Sequence, residues 1–172
     1  MRSKFAIAGH PLHPLLVALP VGLFAWTLIA DIIYATDKLS RREWFDIAFW
    51  SGIAAIVTGL LAALPGFGDY LTMARKSDAR GIATAHLALN LGIVGLFVVA
   101  MLFMAPDDGG SGSHFTAAVI LHAIGVGALL LSGWLGGEMV FRHHLAMIPD
   151  DGELERAEQA RHELRPSIRA HG

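Results

Sequence analysis

Four stretches of about 20 or more mostly apolar residues constrain this chain more than any other feature. They are residues 14–34, 45–65, 82–105 and 115–136. A helix rises 1.5 Å per residue, so about 20 such residues cross a hydrocarbon core of about 30 Å. A surface helix of a soluble domain would carry a polar face, and none of the four does. A membrane β-barrel would need apolar residues alternating with period two, and no stretch alternates that way. The expected fold is therefore all-α: a bundle of four transmembrane helices, up-down-up-down, in a membrane domain of residues 1–148. A polar tail, 149–172, follows it. Composition agrees, with 54% hydrophobic and 16% charged residues among 172, against about 25% charged in an ordinary soluble domain.

Local chemistry marks the span ends. Pro14 suits a first helical turn, where its missing N–H would be unpaired in any case. Pro65-Gly66 is expected to end the second span, and the run PDDGGSGS at 106–113 reads as a flexible turn. Arg2 and Lys4 before an apolar run resemble a signal peptide. The run is long for that role, and Ile33 is too large for the −3 position of a cut after Ala35, so a retained helix is expected. Four spans place both termini on one side, together with Arg2, Lys4, Arg75, Lys76, Arg80 and Arg142. The other side has Lys38, Arg41 and Arg42. The positive-inside rule then predicts cytoplasmic termini. The tail, with Glu153, Glu155, Arg156, Glu158, Arg161 and Glu163, reads as solvated, with a short helix from near Asp151 as the alternative. A net charge of −2 gives no basic field for nucleic acid, so none is expected as a partner; the partner that is expected is the lipid bilayer.

The chain also repeats itself. His13 is followed nine residues later by Gly22 of a VGLF tetrapeptide, and His86 nine residues later by Gly95 of a second VGLF. Each half continues into a second apolar span that ends in glycines and an acid, Gly66-Phe67-Gly68-Asp69 and Gly136-Gly137-Glu138. The offset is 73 residues for the first spans and 69 for the second. Two spans per unit make the repeats parallel, related by an axis along the membrane normal. His13 and His86 are then expected to face each other across the bundle, at one depth near the terminal side.

The chain has no cysteine and nine histidines. Disulfides, iron–sulfur clusters, thiolate zinc and cysteine nucleophiles are excluded, and imidazole is left as the abundant metal-type ligand. No nucleotide-binding or hydrolase motif is present, so no catalytic residue is expected. Ionisable residues within spans are costly and face a bundle interior. They fall in two layers. The terminal-side layer holds His10, His13, Asp69, Tyr70, His86, Asn90, Glu138, Arg142, His143 and His144. The opposite layer holds Asp31, His114 and His122. His10-Pro11 and His13-Pro14 are expected to be extended, because proline disfavours helical backbone in the residue before it. They read either as imidazoles presented to a cofactor or as an interfacial cap. His86, with Asn90 one turn on, reads as a ligand or as a buried histidine bonded to a carbonyl. Asp31 and His122 are expected to form a buried polar pair between adjacent helices, with a proton relay as the alternative. The counterpart of His122 in the other half falls near Ile53, so no second histidine pair is expected there. His143 and His144 read as part of a juxtamembrane charged cluster.

At these residues the sequence resembles the bacterial membrane proteins grouped as domain of unknown function 2231. The resemblance is carried by Gly9-His10-Pro11-Leu12-His13-Pro14, Pro20, Asp31, Gly66, Asp69, His86, Asn90 and the run Gly136-Gly137-Glu138-Met139-Val140-Phe141-Arg142-His143. It spans about residues 9–145. His144 stands where the family has glycine. The resemblance implies a compact four-span domain in a bacterial inner membrane. Fusion of relatives to Rieske-type domains implies electron transfer or quinone chemistry. Three readings stay open. In the first, His13 and His86 ligate a b-type haem, with His10, His143 or Asn90 assisting and Asp69, Glu138 or Arg142 behind them, and the partner is a redox protein or quinone. In the second, His10, His13, His86 and Asp69 bind a divalent metal ion, in a metal-binding membrane protein or transporter. In the third, no cofactor is bound and the chain is a structural subunit, able to form a homo-oligomer.

Overall fold

The computed structural model describes residues 5–8, 10–36, 41–74, 77, 79–104, 113–143 and 159. Four helices dominate it: α1 Leu12–Thr36, α2 Arg41–Thr72, α3 Ala79–Met104 and α4 Ser113–Phe141. All four are long and apolar enough to cross a membrane. Two short strands, β1 Ala6–Ile7 and β2 His10–Pro11, form an antiparallel pair ahead of α1. The expected helix near Asp151 lies outside the described residues except for Gln159, which is helical.

Two boundaries differ from the sequence expectation. The second helix does not stop at Pro65-Gly66 but continues to Thr72 with Pro65 inside it. In a bilayer an unbonded carbonyl costs several kcal/mol, so the chain stays helical around a single missing N–H. The first helix begins at Leu12, so His13 sits in its first turn. The Pro14 ring asks for no N–H there, because the first four N–H groups of a helix have no intrahelical acceptor. Only His10-Pro11 has the extended form expected of both histidine–proline pairs.

Helix α1 packs along α2 and α3 along α4, giving two hairpins that meet along narrower α1–α4 and α2–α3 seams. The hairpins repeat each other in contact as well as in sequence. Phe24 and Phe97, the phenylalanines of the two VGLF tetrapeptides, meet edge to face with ring centroids 4.4 Å apart. They anchor a core with Ala55 and Ile93. Toward the end remote from the termini, Tyr34, Phe45, Met101, Met104 and Phe115 form a second core. Interior hydroxyls are satisfied within their own helices: Thr27 donates to Leu23 O, Ser51 to Ile47 O and Thr58 to Ala54 O. This is how short polar side chains are accommodated where no water can reach.

Glycines set the closest approaches. A Cβ on Gly125 would lie 2.7 Å from the Phe97 ring, and one on Gly52 would lie 2.7 Å from Met101 Sδ. Phe97 is fully buried and held between Phe24 and His122, whereas the end of a methionine bends aside easily. Gly125→Ala is expected to lower stability by about 1–3 kcal/mol, the usual range for overpacking. Gly52→Ala should cost distinctly less. Thermal unfolding of both variants in detergent checks the order, and equal losses would contradict it.

Candidate functional site

The two repeat-related histidines meet. His13 on α1 and His86 on α3 have ring centroids 6.3 Å apart and planes at 85°. Each ring is seated by the second helix of its own hairpin. His13 Nδ1 lies 2.8 Å from Ala62 O on α2, and His86 Nδ1 lies 3.0 Å from Ser132 O on α4. A carbonyl only accepts, so Nδ1 carries the hydrogen in both rings. Each Nε2 is then left with its lone pair, which is the tautomer a metal ligand needs. The seats correspond in sequence, since Ser132 stands 70 residues after Ala62 and Gly136 stands 70 after Gly66. A Cβ on Gly66 would lie 2.7 Å from His13 Nδ1, and one on Gly136 would lie 3.5 Å from the His86 ring. A small residue and a glycine four positions on thus make the shelf for each imidazole.

The seats are not identical. Proline at 65 withdraws an N–H and crowds the carbonyl of Leu61, and the next carbonyl, Ala62 O, is the one His13 uses. His86 has a polar buttress instead. Ser132 Oγ lies 3.1 Å from its Nδ1, and Asn90 Nδ2 donates to Ser132 Oγ at 2.6 Å and to His86 O at 2.7 Å. Gly66→Ala must therefore shift His13, while Gly136→Ala meets only ordinary contact at His86. The expected result is a changed His13 imidazole ¹⁵N resonance in the first variant and an unchanged His86 resonance in the second. Equal shifts would refute the asymmetry.

His10 is exposed, with Nδ1 3.1 Å from Ala8 O of its own hairpin. Glu138 pairs with Arg142 at 2.7 Å along α4. Asp69 lies near the end of α2 and His143 just beyond α4. The carboxylates expected to orient the imidazoles do not do so at Nδ1, where main-chain carbonyls are the partners. Among the described residues, no three His, Asp or Glu side chains gather as a metal-binding group, so His10, His13, His86 and Asp69 do not form one set. His144 lies outside the described residues. Ser132 and Ala62 have no part in the sequence expectation, and Gly66 and Gly136 enter it only as span-end glycines of the repeat and of the family resemblance. Their signal was there, as a small residue followed four positions later by glycine, twice, at the repeat offset.

At the opposite end, His122 Nδ1 lies 2.6 Å from Asp31 Oδ2, joining α4 to α1 with both side chains fully buried. The 70-residue offset makes Gly52, rather than Ile53, the counterpart of His122.

Four membrane-length helices, arranged as two matched hairpins that each seat an imidazole on a carbonyl, define a four-span α-helical membrane protein. A family model described as "Predicted membrane protein (DUF2231)" matches residues 9–149, and the chain belongs to that family. No curated protein and no solved structure matches it.

Proposed function

We propose that this protein is an electron carrier of the membrane, holding a b-type haem between its hairpins with His13 and His86 as the two axial ligands. The observation that carries the reading is the pair of carbonyl-seated imidazoles, both of the Nδ1–H tautomer, at 6.3 Å. Two protein ligands are what a metal already held by a macrocycle requires. A bare zinc ion takes three or four, and among the described residues no such group forms. With both histidines engaged, the chain would leave no ligand place open to a substrate, which favours electron transfer over oxygen chemistry. Haem would supply the one-electron couple. The chain would hold it, fix the imidazole orientation and exclude water. A quinone or a redox protein is the corresponding partner class. With cytoplasmic termini, as the lysine and arginine bias indicates, the pair would lie toward the cytoplasmic side of a bacterial inner membrane.

The test is an absorption spectrum with metal analysis on the full chain, purified in detergent from a haem-sufficient host. Reduced-minus-oxidised bands of a six-coordinate bis-histidine haem, with about one iron per chain, support the reading. A colourless protein that shows no such bands after haem reconstitution overturns it. Zinc or copper bound stoichiometrically without porphyrin overturns it in favour of a metal-ion site.

A further inference from the structure

The carboxylate and imidazole at the other end of the bundle are independent of the His13–His86 reading, and their chemistry is unresolved as drawn. Asp31 Oδ2 and His122 Nδ1 satisfy each other at 2.6 Å, but Asp31 Oδ1 and His122 Nε2 are buried with no hydrogen-bond partner. Buried polar atoms are nearly always paired, so two orphans on one contact need a cause. Neither atom borders a water-sized space. The His122 ring is stacked on Phe97, centroid to centroid 4.4 Å, and the pair adjoins a core that contains Ala30, Met104 and Ala118. A water, a metal ion or an organic ligand would have to push helices apart to reach it.

The charge is the second difficulty. An ionised Asp31 beside a neutral His122 leaves a whole negative charge in the interior. Among the described residues, the only ion-pair partner of Asp31 is His122 itself. An uncompensated charge in such surroundings is so unfavourable that the group takes up a proton instead.

We propose that Asp31 and His122 together form a binding site for one exchangeable proton. With that proton the pair is neutral overall, either as a carboxylic acid donating from Oδ2 to Nδ1 or as a carboxylate accepting from an imidazolium. Both forms keep the short bond, and both place a hydrogen on Nε2. Without the proton, Nδ1–H donates to the carboxylate and Nε2 is bare. The internal repeat does not supply a second such site, since the corresponding positions are Met104 and Gly52. The proton site therefore belongs to one end of the molecule. It is 18 residues from His13 along α1, about 27 Å. Asp31 is five residues from the end of α1, about 7 Å along the helix. Among the described residues, the other titratable groups on this end of the packed elements are Tyr34 on α1, Arg42, Glu43 and Asp46 on α2, and His114 on α4; this end of α3, Val98–Met104, carries none. Arg42 and Asp46 pair with each other at the exposed start of α2.

The state of Nε2 decides the matter. The full chain, labelled with ¹⁵N-histidine and reconstituted in phosphatidylcholine vesicles, would be read by solid-state NMR, with the His122 signals assigned by their loss in H122Q. The expected result is an Nε2–H at His122 at neutral pH, removed reversibly when the pH is raised, while Nε2 of His13 and His86 stays bare in the haem-free protein. A bare Nε2 at His122 at neutral pH overturns the proposal. So does an Nε2–H that persists at every alkaline pH at which the chain remains folded. The wild-type measurement carries the result, so a variant that misfolds leaves it intact: selective ¹³C labelling of aspartate identifies the partner carboxyl through its coupling to the same ring. A protein without haem would still give either answer.

Discussion

His13→Ala and His86→Ala are each expected to abolish the bis-histidine haem spectrum outright, and one substitution should suffice. The two imidazoles come from different hairpins, and on the proposed reading both would be needed to hold the haem, so the loss of either would remove half of its protein ligands. His10→Ala is the control. Its ring is exposed and bonded within its own hairpin, so the spectrum should not change. Asn90→Ala and Ser132→Ala lie between these extremes. They remove the polar buttress of His86 but keep the Ser132 carbonyl that holds its Nδ1, and loss of such an outer contact typically weakens metal binding about 10–100-fold. Retention of full haem content in the His13→Ala, His86→Ala double variant, judged by pyridine haemochrome and iron content, would remove these residues from the site.

The parts of this arrangement that the sequence made legible are those governed by hydropathy and by repetition. Apolar length alone indicated four helices, because a bilayer leaves the backbone few alternatives. The two VGLF tetrapeptides, at one distance from His13 and His86, placed those histidines at equal depth before any packing was known, and the Phe24–Phe97 contact repeats the same match. Pro65 was misread because proline ends helices in water, where a freed carbonyl bonds to solvent, whereas here the helix continues past it. A carbonyl partner was one of the two expectations for His86, but the sequence does not say which carbonyl, nor that His13 has one too. Carboxylates stand out in a sequence, while a main-chain carbonyl has no residue signature. Ala62 and Ser132 act through backbone atoms, and only the glycine four residues beyond each gave them away. The offset of the second spans was taken from the acids Asp69 and Glu138, which lie outside the matched shelves, and this moved the counterpart of His122 by one residue.

His122→Ala should be among the most destabilising single changes in the chain, by about 3–5 kcal/mol, which is the usual effect of breaking a buried ion pair on one side. It removes the partner of Asp31, empties the space beside Phe97 and cuts a polar tie between the two hairpins. The size of that loss does not measure the value of the pair. Replacing both partners by apolar residues of similar volume is often neutral or stabilising, because nothing then remains to be desolvated. Asp31→Val combined with His122→Leu is accordingly expected to recover most of the stability lost by either single substitution. Unfolding of the wild type, Asp31→Val, His122→Leu and the double variant in mixed micelles gives the coupling directly as a double-mutant cycle. Additive losses would mean that the 2.6 Å contact contributes nothing of its own. A double variant as stable as the wild type would show that the pair is not needed to hold the bundle together, which is what a pair kept for the proposed proton site predicts.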